Sequence, residues 1–331
     1  MFHAKFQAPA IDIKHVYYLM MLERLGSISK AANAMGVAQP SLSENITRLE
    51  KKLNTRLAIR SPRGVTLTEA GRYLALEGKS LVDVADKIAK SLRQLGHDLS
   101  GTVSIGLPPS LSQIASVPLT ETSRIELPGI KLELTEGLSG HILEWLVDET
   151  LDFGFVYFNP QNQEIQVMPV MEEEIFLVSA HDDVPVSPDA NGELTITAND
   201  LDRVPLVLPR HRHSARRAAD KFAQANGIEL NVEVELNSLS QIIELVSRAS
   251  ACTLLPRAAL VNSMAEGRLT LTRIVAPTFI RTTYLARKQS RVASLASMKV
   301  EQTVLSIIKE MIERYDLQAS YIGGEPMPLS A

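Results

Sequence analysis

The stretch "SISKAANAMGVAQPSLSENITRLEKKL", residues 27–53, narrows the folds open to this chain more than any other. Ile28, Ala31, Ala32 and Met35 fall at i, i+3, i+4 and i+7, one face of a short helix over 28–35. Ser27 stands where an N-cap hydroxyl accepts from an orphan N–H, and the two alanines allow another helix to come close. Gly36 suits a left-handed helix exit, and Pro40 suits a first turn that needs no N–H donor. A second helix over 40–53 would bury Leu42, Ile46, Leu49 and Leu53. An earlier helix over 13–25 would close a three-helix core with Val16, Leu19, Met20 and Leu22.

The polar face of the second helix carries Ser41, Ser43, Glu44, Thr47 and Arg48, with Gln39 at its tip. Short hydrogen-bonding side chains at a helix N-terminus are what a helix-turn-helix inserts into the major groove. Gln matches adenine, Ser meets base or phosphate, and the helix end itself attracts phosphate. "TRLAIRSPRGVTLTEAG" follows: two β-prone segments around "SPRG", with Arg60 before the turn and Arg63 near its tip. A plain αα-hairpin would need no such basic hairpin, whereas a winged helix-turn-helix uses one to reach the DNA backbone. Charge agrees. Residues 1–67 hold ten Lys/Arg against four acids, +6, leaving 24 against 34, −10, in a chain of net charge −4. A basic head on an acidic body points to a head that meets a polyanion.

"GSISKAANAMGVAQPSLSENITRLEKKLNTRLAIRSPRGVTLTEAG" resembles the N-terminal signature of LysR-type transcriptional regulators. Gly26-Ser27, Ala31-Ala32, Gln39-Pro40, Leu49-Glu50 and Leu67-Thr68-Glu69-Ala70-Gly71 carry the resemblance over more than forty residues without a gap. It implies double-stranded DNA as partner, with contacts from Gln39, Pro40, Ser43, Glu44 and Arg63. Ser29, Lys30, Ser41, Arg48 and Arg60 complete the candidate DNA-contacting set. Two positions depart from the family pattern. Glu44 stands where a base-reading arginine is common; an acid there can accept from cytosine N4 but repels phosphate. Ala58 replaces an aromatic and should loosen the packing beneath the wing.

Residues 68–98 read as one long linker helix capped by Thr68, with Leu74, Leu81, Val84, Ile88, Leu92 and Leu95 near heptad spacing. Gly78 interrupts the pattern and argues against a straight rod. Such a stripe either packs on the rest of its own chain or pairs with a second copy. The resemblance implies an antiparallel dimer of this helix, hence a homodimer or homotetramer and an operator of two half-sites.

From Gly101 strands and helices alternate: "GTVSIGLPP", a helix near 110–121, "GIKLELTEG", "SGHILEWLVDET", "LDFGFVYF". This predicts a parallel sheet. Further strands are expected near Leu206, Val232 and Thr253 and in "TLTRIV" and "RTTYLAR", with helices at 214–226, 238–248 and in "ASMKVEQTVLSIIKEMIERY". The order resembles the family's two-lobed α/β effector domain, itself similar to periplasmic solute-binding proteins. The expected organisation is thus an all-α winged helix-turn-helix head (1–67), the linker helix, and an effector domain (101–315). Lobe I would take 101–171 and 276–315, and lobe II 172–275. A Gly- and Pro-containing tail (316–331) is expected to be flexible.

Ligands of open α/β sheets sit beyond strand ends, near helix N-termini. Ser110, Ser139, Thr253 and the trio Arg210, His211 and His213 occupy such points, with Ser214 as a candidate cap. The resemblance adds Tyr157. Hydroxyls and cations around a cleft suit a small anionic effector such as a carboxylate. Each serine has an ordinary alternative as a helix cap, and "RHRHSARR" one as a solvated helix start.

Other classes are disfavoured. His211, His213 and Cys252 lack the further ligands a metal site needs. No phosphate loop, dinucleotide fingerprint or nucleophile elbow occurs, and Asp152 and Glu164 form no defensible acid/base pair. The expectation is a regulator rather than an enzyme, without a cofactor or metal. With neither a long apolar run nor a secretory leader, no membrane association and a cytoplasmic location are expected. The alternative is a solute-binding or carrier protein whose N-terminal helices serve assembly.

Overall fold

The computed structural model describes residues 11–62, 64–94, 99–180, 184–211, 213–263 and 269–323. The chain divides into two compact units, residues 1–96 and 97–331.

In the first unit, α1 (Ile13–Leu25), α2 (Ile28–Ala34) and α3 (Gln39–Leu53) precede a hairpin of β1 (Ala58–Ser61) and β2 (Gly64–Leu67). The long α4 (Glu69–Gln94) follows. The predicted stripes are the core: Leu19, Leu22, Ala31, Ala32, Leu42, Ile46 and Leu49 are buried with Leu57, Val65 and Leu67 from the hairpin. Each fully buried leucine contributes roughly 1.5–3 kcal/mol. Ser27 accepts from the Lys30 N–H, and Gly36 takes φ 66°. Thr68 accepts from the Gly71 N–H while donating to the Arg56 carbonyl, so it starts α4 and ties down the segment before β1.

Two expectations about α4 change. Gly78 does not break the helix: a β-carbon there would lie 2.5 Å from Val16 Cγ1, so glycine is what lets α1 lie against α4. The apolar stripe also divides its labour. Ala75 and Leu74 join the head's core, whereas Leu81 and Ile88 remain about half exposed. Residue 95 and the side chain of Leu92 lie outside the described residues.

The second unit opens with β3 (Gly101–Leu107), α5 (Pro109–Glu126), β4 (Ile130–Glu136), α6 (Ser139–Val147), β5 (Phe153–Val156) and β6 (Ile165–Ser179). Then come β7 (Ser187–Pro188), β8 (Leu194–Thr197), β9 (Leu206–Leu208), α7 (Ser214–Asn226), β10 (Val232–Glu235), α8 (Leu239–Ser247) and β11 (Thr253–Pro256). It closes with β12 (Thr270–Val275), β13 (Ile280–Lys288), α9 (Leu295–Arg314) and β14 (Ala319–Tyr321). β3 is parallel to β4 and β5, as alternation predicts, but β13 joins β5 antiparallel, so the sheet is mixed.

The 15-residue β6 organises the unit. Its residues 165–174 pair with β13, and residues 175–179 pair with β11 and β12. One strand therefore runs through two lobes with separate cores. One core gathers Val103, Ile105, Leu111, Phe153 and Val304; the other gathers Leu177, Ile196, Leu201, Leu206 and Ile274. The chain passes between lobes at Glu174–Ile175, three residues beyond the expected boundary.

The tail expectation is corrected over 316–323. β14 pairs antiparallel with Met171, Glu172 and Glu173 of β6, and Leu317 is buried. Backbone pairing to a central strand outweighs the local composition that suggested a loose end. Residues 324–331 lie outside the described residues.

Candidate DNA interface and effector cleft

The exposed face of α3 presents Gln39, Pro40, Ser41, Glu44 and Arg48, with Ser43 and Thr47 half-buried beside them. Ser29 and Lys30 of α2 are exposed next to its tip. The Ser29 hydroxyl donates to Gln39 Oε1 at 2.9 Å, which links the two helices and engages the amide oxygen. Arg48 donates to Glu44 at 2.9 Å along the helix.

The wing is fastened to α3 at two points. Glu50 Oε1 accepts from the Leu57 and Ala58 N–H groups at 2.8 and 3.0 Å. Arg60 donates to Thr47 Oγ1 at 3.2 Å and to the Ser43 carbonyl. Arg60, expected among the DNA-contacting residues, spends part of its donor set on α3. A narrow void lined by Leu22, Leu42, Ile46, Ala58 and Val65 lies where an aromatic at position 58 would add volume. Arg63 lies outside the described residues.

In the second unit the N-termini of α6 and α7 meet. Ser139 donates to Ser214 Oγ at 3.1 Å and accepts from the Tyr157 N–H at 3.1 Å. The Tyr157 hydroxyl and Ser110 Oγ are 2.5 Å apart. Arg281, 6% exposed, stacks 3.6 Å over the Tyr157 ring, donates to Ser110 at 3.2 Å, and makes 2.6 and 3.0 Å bonds to Glu173 Oε1. Burial pushes the Tyr157 phenol up to about 12, so it stays neutral and able to donate. Against this cluster opens a cleft of about 620 Å³, lined by Tyr157, Phe158, Ser214, Arg217, Lys221 and Arg281 among others; none of the described lining residues is acidic. Arg217 stacks 4.2 Å over the Phe158 ring.

The structure thus brings Ser110, Ser139 and Tyr157 together, with Ser214. His213 stands beside them in a different role. Its ring Nδ1 accepts from the Ala215 N–H and caps α7 in place of Ser214. Burial, helped by Arg281, lowers its pKa to about 4, so it is neutral rather than cationic near pH 7. Three expected residues do not reach the cleft. Arg210 is exposed and its N–H donates to Asn237. His211 lies 3.1 Å from Asp220 and 3.3 Å from Arg216, in a network in which the buried Arg216 also bonds Glu235 and the Pro209 carbonyl. Thr253 is buried with its hydroxyl donated to the Val207 carbonyl at 2.8 Å. Proximity in sequence to a helix start did not decide which way these side chains face.

Sequence reasoning missed Arg281 and Glu173. They sit opposite each other in the β13–β6 register, 108 positions apart, and only the pairing of those strands makes them neighbours.

A small helix-turn-helix with a fastened wing, joined through a long helix to a two-lobed α/β unit with a cleft, defines a ligand-linked DNA-binding regulator. Residues 13–72 match the family model described as a bacterial regulatory helix-turn-helix protein of the lysR family, and residues 96–304 that of the LysR substrate binding domain. The chain belongs to the lysR family of DNA-binding transcriptional regulators and carries its substrate-binding domain. It is 26% identical to the nitrogen assimilation regulatory protein nac of Klebsiella aerogenes, over 93% of this chain and 99% of that protein. A Corynebacterium glutamicum OxyR C206 mutant shares the fold at TM-score 0.60 and 20% identity, covering 92% of this chain and 95% of that one. Full-length CbnR, solved with its target DNA, does so at TM-score 0.50 and 19% identity, covering 92% and 99%. The solute-carrier alternative falls with this assignment, since the matched relative is a regulator along nearly its whole length. No helix among the described residues is long and apolar enough to cross a membrane.

Proposed function

We propose that this regulator reads its operator through α3 and is switched by a small anion held at the Tyr157–Arg281 cleft. Gln39, Pro40, Ser41 and Ser43 would meet base edges. Ser29, Lys30, Arg60 and Arg63 would hold the sugar–phosphate backbone. The solved CbnR–DNA complex, a fold relative, supports this assignment by analogy. Glu44 and Arg48 are treated separately below.

The observation that carries the ligand class is the charge of the cleft. Arg217 and Lys221 line it with no described acid in the lining, beside the α6 and α7 N-termini. Arg281 is already matched by Glu173, so the net attraction for an anion comes from Arg217, Lys221 and the helix ends. Ser214 and Tyr157 would orient it. Phe158, Phe222 and Phe279 add aromatic wall, which favours a compact or planar carboxylate over an extended one.

The half-exposed Leu81 and Ile88 on α4 support pairing with a second copy, so that two heads meet two half-sites. We read the protein as a cytoplasmic regulator without catalytic turnover.

The test is a thermal-denaturation screen of the full chain against small carboxylates. A ligand at a hundred times its Kd stabilises by about 2.7 kcal/mol. The Arg217→Ala, Lys221→Ala double variant should lose that shift while keeping its own melting temperature. A carboxylate shift that survives the double variant, or stabilisation by cationic compounds instead, would overturn the proposed cleft chemistry.

A further inference from the structure

Among residues 27–49 Glu44 is the only acid. It stands on the exposed face of α3, in a head of charge +6, where a carboxylate approaching duplex DNA meets phosphate repulsion. Such a group gains from entering the groove only where a base donates a hydrogen bond to it.

We propose that Glu44 and Arg48 act as one unit that reads a C·G base pair in each half-site; the inference rests on α3 being the recognition helix. Arg48 Nη2 donates to Glu44 Oε1 at 2.9 Å, and both side chains are largely exposed, 69% and 72%. A carboxylate has about four acceptor sites and a guanidinium five donors. One Glu44 oxygen holds Arg48; the other keeps its acceptor capacity. Arg48 likewise keeps donors beyond the one given to Glu44. The pair therefore presents an acceptor beside a bidentate donor. The major-groove edge of a C·G pair presents the complement: the cytosine N4 amino donor beside guanine O6 and N7. A T·A pair instead places the thymine methyl and O4 where the carboxylate would enter, and a G·C pair reverses the order.

The rest of the face suits this reading. Arg60 bonds Thr47 and the Ser43 carbonyl on the flank of the helix, so it does not compete for Glu44. An exposed i,i+4 ion pair is weak. It can open enough to fit the base pair, yet it limits the orientations the carboxylate samples.

The experiment is sequence selection from a random duplex library with the full-length chain and the variants Glu44→Ala, Glu44→Gln and Arg48→Ala at one fixed salt concentration. The parent should enrich a half-site with one C·G pair whose replacement costs about tenfold or more. Glu44→Ala should lose preference at that pair alone, keep the other positions, and bind random duplex more tightly than the parent. Glu44→Gln should admit adenine there, since an amide pairs with adenine N6 and N7. Placing N4-methylcytosine in the parent's enriched half-site blocks the amino group that faces the groove. It should weaken the parent about tenfold and leave Glu44→Ala unchanged. If Glu44→Ala enriches the same half-site as the parent, or both proteins lose equally on N4-methylation, the Glu44–Arg48 reading is wrong while α3 recognition stands. If the parent enriches nothing although correctly folded, α3 recognition fails with it.

Discussion

The proposed DNA face of α3 and the polar cluster behind the cleft use similar side chains in opposite ways. On α3 the serines, Gln39, Glu44 and Arg48 are exposed or half-exposed; Ser29 bonds Gln39, and Glu44 and Arg48 bond each other. Behind the cleft Ser110, Ser139, Tyr157, Glu173 and Arg281 are buried and bonded across elements far apart in sequence. The first arrangement leaves donors and acceptors for a partner. The second spends most of them on itself and, in the proposed function, leaves the ligand to Tyr157, Ser214, Arg217, Lys221 and the helix ends. On the proposed function, binding falls to weakly committed groups and stability to fully committed ones.

The contrast breaks most visibly at Glu173. Glu173→Ala leaves Arg281 buried without its partner and should cost the second unit about 3–5 kcal/mol. Trp145, the only tryptophan, lies on α6, so its fluorescence in a denaturant titration reports that unit directly. A loss below about 1 kcal/mol would mean the pair is solvated rather than committed.

Glu50 is the corresponding committed group in the head. Glu50→Ala orphans two backbone N–H groups and should cost about 1.5–3 kcal/mol there. Amide exchange across β1 should accelerate while Trp145 unfolding stays in place. Unchanged exchange at Leu57 and Ala58 would show that the wing does not depend on this carboxylate.

An uncommitted residue should behave in the reverse way. Gln39→Ala should weaken operator binding by about 1–3 kcal/mol and relax base preference. Its effect on head stability should stay within about 0.5 kcal/mol. A variant that melts early but footprints like the parent would invert the contrast.

The smallest effect concerns pH. The His213 pKa is depressed in the folded chain, so its neutral form stabilises. That contribution is complete above about 6.5 and is lost as pH falls toward about 4. His213→Asn keeps a capping acceptor without a titrating ring. The drop in melting temperature across that window should shrink in the variant, and an equal drop would assign the acid sensitivity to other groups.

How much was legible in the sequence follows the same division. The head was readable because each helix buries a stripe of residues spaced three and four apart and its caps are local; Ser27, Gly36 and Pro40 each sit where their own chemistry places them. Gly78 was misread because its reason, Val16, belongs to another helix. In the second unit the alternation of strands and helices was visible, but β6 as a strand shared by two lobes was not. Ser110, Ser139 and Tyr157, expected from strand ends and from the family resemblance, do lie together. Arg210, His211 and Thr253 shared the same local signal, yet Arg210 is exposed, and His211 and Thr253 are turned into bonds with Asp220 and Val207. Arg281 and Glu173 carry no local signal, since strand register alone makes them a pair.

The most direct test of the central claim compares the full chain on its selected operator and on a scrambled duplex of equal length across a salt series. The account predicts that both affinities fall linearly on a log–log plot. It also predicts a preference for the operator of at least about a thousandfold at physiological salt. Equal affinity for the two duplexes, or binding indifferent to salt, would contradict it.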